Sequence, residues 1–122
     1  MQLYYDLIEK VPEFKDYDIM GEDHYVDSGI SPLGTIGSWL KELVEATNRN
    51  DTLIRKICNY LNETYRNANS FSGDIRNDFQ VYLFWVLDYP TIDFIKPYLD
   101  QQILSDGRKY LKAIDGSNYR DF

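Results

Sequence analysis

Asp74-Ile75-Arg76-Asn77-Asp78-Phe79-Gln80-Val81-Tyr82-Leu83-Phe84-Trp85-Val86-Leu87 is the stretch on which the fold class turns. Its second half, Val81 to Leu87, is the longest apolar run in the chain and would suit a buried strand as well as a helix. The first half separates the two. Ile75, Phe79, Tyr82 and Val86 recur at intervals of four, three and four, a helical period that begins before the apolar run does. Ser72 or Asp74 would cap such a helix, and Tyr89-Pro90 would end it. The stretch therefore reads as a central helix buried nearly all round, with Phe79 and Trp85 in the core.

Upstream, Asn67 to Asp74 is the plainest break in the chain. Before it lie two amphipathic segments. Ser31-Pro32 opens the first, with Leu33, Ile36, Leu40, Leu43, Val44 and Thr47 on one face and Trp39 beside that stripe. Asn48 to Asp51 is a short polar turn, and Leu53, Ile54, Ile57, Leu61 and Thr64 mark the second, so the pair reads as an αα-hairpin. Downstream, Ile92, Ile95, Tyr98 and Leu99 predict a helix interrupted or restarted at Pro97 and prolonged by Ile103 and Leu104. Asp106 is placed to cap a last helix carrying Tyr110, Leu111 and Ile114, stopped at Asp115-Gly116. At the other end, Leu3, Leu7, Ile8 and Val11 predict a first helix, closed by Val11-Pro12. From Lys15 to Ile30 the pattern dissolves into acids, tyrosines and glycines and reads as a long loop, of a length that points to function. The expectation is an all-α, compact, single-domain bundle of about five to six helices spanning residues 1–122, with a long acidic loop after the first helix.

A chain of 122 residues has room for one core, and eleven Tyr, six Phe and two Trp are ample to fill it. No run approaches the ~20 apolar residues of a membrane-spanning helix. The N-terminal Met1-Gln2-Leu3-Tyr4-Tyr5-Asp6 has no basic start and no apolar signal core, which makes the cytoplasm the default location. The single Cys58, between Ile57 and Leu61 in an apolar stripe, fits a reducing compartment as a small core residue.

Charge is unevenly spread. Residues 1–27 hold eight acids against Lys10 and Lys15, a net charge of −6, whereas the remaining 95 residues carry twelve acids and eleven bases, a net −1. Such a field repels nucleic acid and anionic lipid and attracts basic proteins. The same acids would also keep an aromatic-rich surface soluble.

Catalytic equipment is thin. His24 stands alone in the acidic loop, and Cys58 on an apolar helix face would be a poor thiolate. Together they cannot supply a structural zinc site, and no glycine-rich phosphate loop or dinucleotide fingerprint is present, so neither catalysis nor a cofactor is expected. Asp16-x-Asp18-x-Met20-Gly21 begins like a calcium loop, with Asp27 at the twelfth position. Met20 then falls where an oxygen ligand is needed, and Asp27 is shorter than the usual glutamate. Arg55-Lys56 and Arg108-Lys109-x-x-Lys112 are small basic patches, read as the wet faces of helices or, alternatively, as partners for acids of the N-terminal segment, and not as a nucleic-acid surface. What remains is an acidic, tyrosine-bearing segment. Carboxylates that steer a basic partner beside rings that bury area at small entropy cost make a common interface mixture. The expected partner-binding residues are Asp16, Tyr17, Asp18, Glu22, Asp23, Tyr25 and Asp27. No small-molecule ligand is expected.

Val11-Pro12-Glu13-Phe14 closes the opening helix, and Tyr98-Leu99 is followed by Gly107-Arg108-Lys109-Tyr110-Leu111. In these two short stretches, and in size, acidity and helical layout, the chain resembles the small all-α bacterial immunity proteins encoded beside contact-dependent inhibition and other polymorphic toxins. The resemblance transfers no functional residue. It implies a stoichiometric inhibitor that binds and blocks a cognate toxin domain, often a basic nuclease. A helical adaptor or regulatory subunit for a non-toxic basic protein is the rival reading, and an enzyme using dispersed carboxylates the third.

Overall fold

Proline and short polar caps divide the chain into its helices. In the computed structural model, which describes all residues from Met1 to Phe122, α1 (Leu3–Lys10) stops at Val11-Pro12 and α2 (Phe14–Tyr17) follows at once. Helix α3 (Leu33–Glu45) begins after Ser31-Pro32, the serine Oγ accepting the Leu33 amide at 3.2 Å. Asn50 caps α4 (Asp51–Arg66) through the Leu53 amide at 3.1 Å. Asp74, rather than Ser72, caps α5 (residues 75–86) through the Asn77 amide at 3.1 Å. Asp88 caps α6 (Tyr89–Ile95), with Pro90 in the first turn where no amide donor is needed. The last helix is α7 (Gln101–Asp115). There is no strand, so the all-α expectation holds.

A cluster of 28 buried apolar residues, drawn from every one of these helices, forms one continuous core. Helix α5 lies at its centre, packed between α3 and α7. Its apolar run is helical, but not evenly buried. From Phe79 to Phe84 the helix widens into π geometry, and the Trp85 amide reaches back five residues to the Gln80 carbonyl. Phe79, Leu83, Phe84 and Leu87 face the core, Tyr82 and Val86 are half-buried, and Trp85 is 66% exposed. The expectation of a core Trp85 is therefore overturned. Trp39 is instead the core tryptophan, only 5% exposed, because Phe14 meets its ring edge-on and Tyr17 stacks on it at 5.4 Å.

Two further expectations are corrected. Asp106 caps nothing: α7 runs unbroken from Gln101 past Gly107, and the Asp106 carboxylate accepts from Tyr65 and Gln102 instead. Gly107 is tolerated inside the helix because the Phe84 ring occupies the place where its side chain would be. The stretch from Lys15 to Ile30 is also not one long loop. It contains the end of α2, a tight turn at Asp18–Gly21 and a π turn over Asp23–Asp27, which takes the helical segments beyond the five or six expected. Aromatic burial orders it. The Tyr25 ring stacks on Tyr4 at 5.3 Å, and Phe14 is fully buried beneath.

Candidate functional site

The acidic segment carries two classes of carboxylate. Asp18 works within the chain: its oxygens accept the amides of Met20 and Gly21 at 3.2 and 3.1 Å and the Tyr25 hydroxyl at 2.7 Å. Having donated to Asp18, the Tyr25 hydroxyl receives the Thr35 hydroxyl at 2.8 Å, which ties the turn to α3. Burial raises the Tyr25 phenol above its ordinary pKa, with Asp18 adding to the rise and Thr35 opposing it. Glu22 accepts from the Tyr5 hydroxyl. Asp16, Asp23 and Asp27, in contrast, are exposed and their carboxylates make no hydrogen bond within the chain.

None of Asp16, Asp18, Glu22, Asp23 and Asp27 has a basic group within ion-pair distance, whereas seven acids elsewhere are paired. Lys56 holds Glu13 at 2.9 Å, Arg66 holds Asp100 at 2.8 Å and Lys41 reaches Asp88 at 3.6 Å. The basic pair Arg55-Lys56 is thus partly used in holding α4 to the start of α2, and the Arg55 guanidinium lies over the Tyr98 ring. These bases line the largest cleft, of about 740 Å³, where Lys10 is also engaged, by Asp6 at 3.1 Å. Of the thirteen acids without an ion-pair partner, five fall within the twelve residues from Asp16 to Asp27, and the other eight are spread over the rest of the chain.

The braced turn displays an apolar pair. Ile19 is 93% exposed and Met20 is more than half exposed. They form one side of a groove of about 510 Å³, with Tyr17 and Ile30. Gly34, Thr35 and Ser38 of α3 make its floor, and Tyr82 and Val86 of α5 its far side. Small floor residues are what leave the groove open. Gly37, one turn on, lets the helices close up: a side chain there would stand 3.2 Å from Val86 Cβ and 3.3 Å from the Leu83 carbonyl. Trp85, on the outward side of α5, lines a separate cleft of about 440 Å³ with Tyr89, Leu111 and Ile114.

Of the seven residues expected to contact a partner, Asp16, Asp23 and Asp27 are free on the surface, and Asp18 and Glu22 brace the turn and its contact with α1. Tyr17 is half-buried on Trp39, and burial followed by the neighbouring Glu42 pushes its phenol up to about 12. Tyr25 is a core residue, 4% exposed, and presents no surface. Sequence reasoning missed Ile19, Met20 and Ile30, and also Tyr82 and Val86 as surface residues. Ile19-Met20 was marked only by being an apolar pair among acids, outside any helical stripe. Gly34 and Ser38, four apart, were the sign of an open helix face.

Nucleophilic chemistry finds little support among these side chains. Burial pushes the Cys58 thiol up to about 12, and His24 packs edge-on against Tyr25 at 4.8 Å between ring centres. No helix is long and apolar enough to cross a membrane. Comparison with protein-family models, curated proteins and solved structures finds no match to this chain.

Proposed function

We propose that the protein is a non-catalytic binding domain that captures a basic protein, and that it acts in the cytoplasm as an immunity protein, blocking a cognate toxin domain of basic, nuclease type. The observation that carries the reading is that all five acids from Asp16 to Asp27, within one short stretch, lack an ion-pair partner, in a chain that pairs seven of its other fifteen acids internally. Exposed carboxylates without internal partners generate a field that speeds encounter with a basic surface and weakens as salt rises. The toxin as partner rests on the resemblance to immunity proteins; the basic character of the partner rests on the charge alone.

The test is co-expression with the polypeptide encoded beside the gene, joined to association kinetics at low and high salt. Rescue of growth and a complex whose formation slows with salt support the full reading. A salt-dependent complex without any toxicity to rescue moves the protein to the adaptor class. Asp16→Asn, Asp23→Asn and Asp27→Asn combined should slow association while leaving the helical spectrum unchanged, because none of the three braces the fold. Association that ignores both salt and these three changes would make the acids a solubility device and end the proposal.

A further inference from the structure

We infer that the groove between the Asp18–Gly21 turn, α3 and α5 seats a basic amphipathic helix of the protein partner, with Ile19 and Met20 as its apolar anchors; the inference rests on the basic-partner reading above and names the place and shape of the contact.

Exposed apolar side chains scattered singly are ordinary, but a pair held outward by polar bracing is not. Ile19 is the most exposed large apolar residue in the protein, yet its turn is fixed at both neighbours through Asp18 and at its base through Tyr25 and Thr35. A contact residue on a fixed turn loses little freedom on binding, which is where binding energy is otherwise dissipated. Across the small-residue floor stand Tyr82 and Val86, four apart and so on one face of α5. The groove therefore offers apolar walls on both sides and a shallow floor. That shape takes the i, i+3, i+4, i+7 ridge of a helix.

Charge selects the kind of helix. Asp18 lines the groove, Asp18 and Glu42 lie close to the Tyr17 phenol in its wall, and Asp16, next to Tyr17 in the chain, is exposed. Lysine or arginine flanking the apolar ridge of an incoming helix would meet these carboxylates. A second copy of this chain would bring acid against acid, which disfavours self-association through this face.

The test uses synthetic helical peptides of about 18 residues, five turns. One has leucine on a single face and lysine elsewhere; a second replaces its leucines with glutamine at the same charge; a third keeps the leucines and replaces lysine with glutamate. Binding is read by fluorescence anisotropy of the labelled peptide against the intact protein. The leucine–lysine peptide should bind best, and Ile19→Ser combined with Met20→Ser should weaken it about tenfold or more. Both residues are exposed, so circular dichroism should show the variant folded. Ile114→Ser, which removes an exposed apolar side chain at the separate cleft, should leave binding unchanged. If the glutamine–lysine peptide binds as tightly, or Ile114→Ser weakens binding as much as the double change, the groove is not the seat and only the charge reading stands. If neither basic peptide binds in preference to the glutamate peptide, the basic-partner reading falls as well.

Discussion

Replacing Gly107 by alanine sets two effects of opposite sign against each other. In the interior of a helix, alanine is better than glycine by about 1 kcal/mol, so an exposed site would be stabilised. At Gly107 an added Cβ would stand 2.4, 2.6 and 2.8 Å from three carbons of the Phe84 ring. Comfortable carbon–carbon contact is about 3.5–4.0 Å, so the overlap exceeds an ångström at the nearest atom. Phe84 is fully buried between α3 and α7 and has no solvent to turn into. Overpacking of this kind costs typically ~1–3 kcal/mol, and overlap with three rigid ring atoms places it at the upper end. The net expectation is destabilisation by about 2 kcal/mol. Urea titration should then show the midpoint falling by about 1 M, for a slope in the usual range of ~1–3 kcal/mol per molar. Phe84→Leu removes the obstructing ring edge, and in that background Gly107→Ala should be neutral or mildly stabilising, a coupling that a double-mutant cycle isolates. A rise in midpoint for Gly107→Ala alone would refute the packing argument and leave helix propensity in charge.

The two tryptophans should behave in opposite ways. Trp39→Ala should cost about 3–5 kcal/mol, whereas Trp85→Ala should stay within about 0.5 kcal/mol, as read from urea midpoints. Iodide should quench the Trp85 fluorescence and spare that of Trp39; equal quenching would contradict the burial assigned to them. Alkaline pH supplies the remaining expectation. Tyr17 and Cys58 are held at about 12 in the fold, against ordinary values of ~10 and ~8.5. Below about pH 8.5 both states hold these protons and the stabilisation is complete. Between about pH 9 and 12 the unfolded chain releases them first and binds fewer protons, so stability falls as pH rises. Tyr25, Tyr60 and Tyr65 are raised as well and act in the same direction. Urea midpoints that stay level from about pH 8 to 11 would contradict this burial.

Local chemistry was legible in the sequence, and non-local packing was not. Val11-Pro12 ends α1 for reasons contained in two residues, and Asp74 caps α5 by accepting the Asn77 amide. Tyr89-Pro90, expected to end the central helix, instead forms the first turn of α6 under the Asp88 cap, α5 having stopped at residue 86. Burial of Trp39 depended on distant events. Trp39 is covered by Phe14 and Tyr17 from outside its own helix. Trp85 is two residues from both Leu83 and Leu87 and so lies on the face of α5 opposite the buried Ile75, Phe79, Leu83 and Leu87; the expectation that the apolar run is buried nearly all round is what misplaces it. Asp106 has the residue type of a cap, but α7 is continuous through it, and the Phe84 ring packed where a Gly107 side chain would stand is a contact that no local pattern records. The acidic segment was visible as charge. Its order was not, since that depends on Tyr25 finding Tyr4 and Thr35.

The division among the acids gives the segment its character. A purely solvated acidic loop would keep charge on the surface but would leave its apolar residues free to collapse inward. Here the half-buried Asp18 holds the backbone of Met20 and Gly21, and Glu22 engages Tyr5 of α1. Hydrogen bonds to a charged group are worth about 1.5–3 kcal/mol each when well made, enough to fix a short turn against the entropy of its few residues. The remaining carboxylates of Asp16, Asp23 and Asp27 stay outside these contacts. Fixing the turn keeps Ile19 in water, at a cost in apolar exposure that the isolated chain does not recover. Bracing that maintains an unfavourable exposure is hard to account for by stability alone, and it is accounted for if a partner covers Ile19.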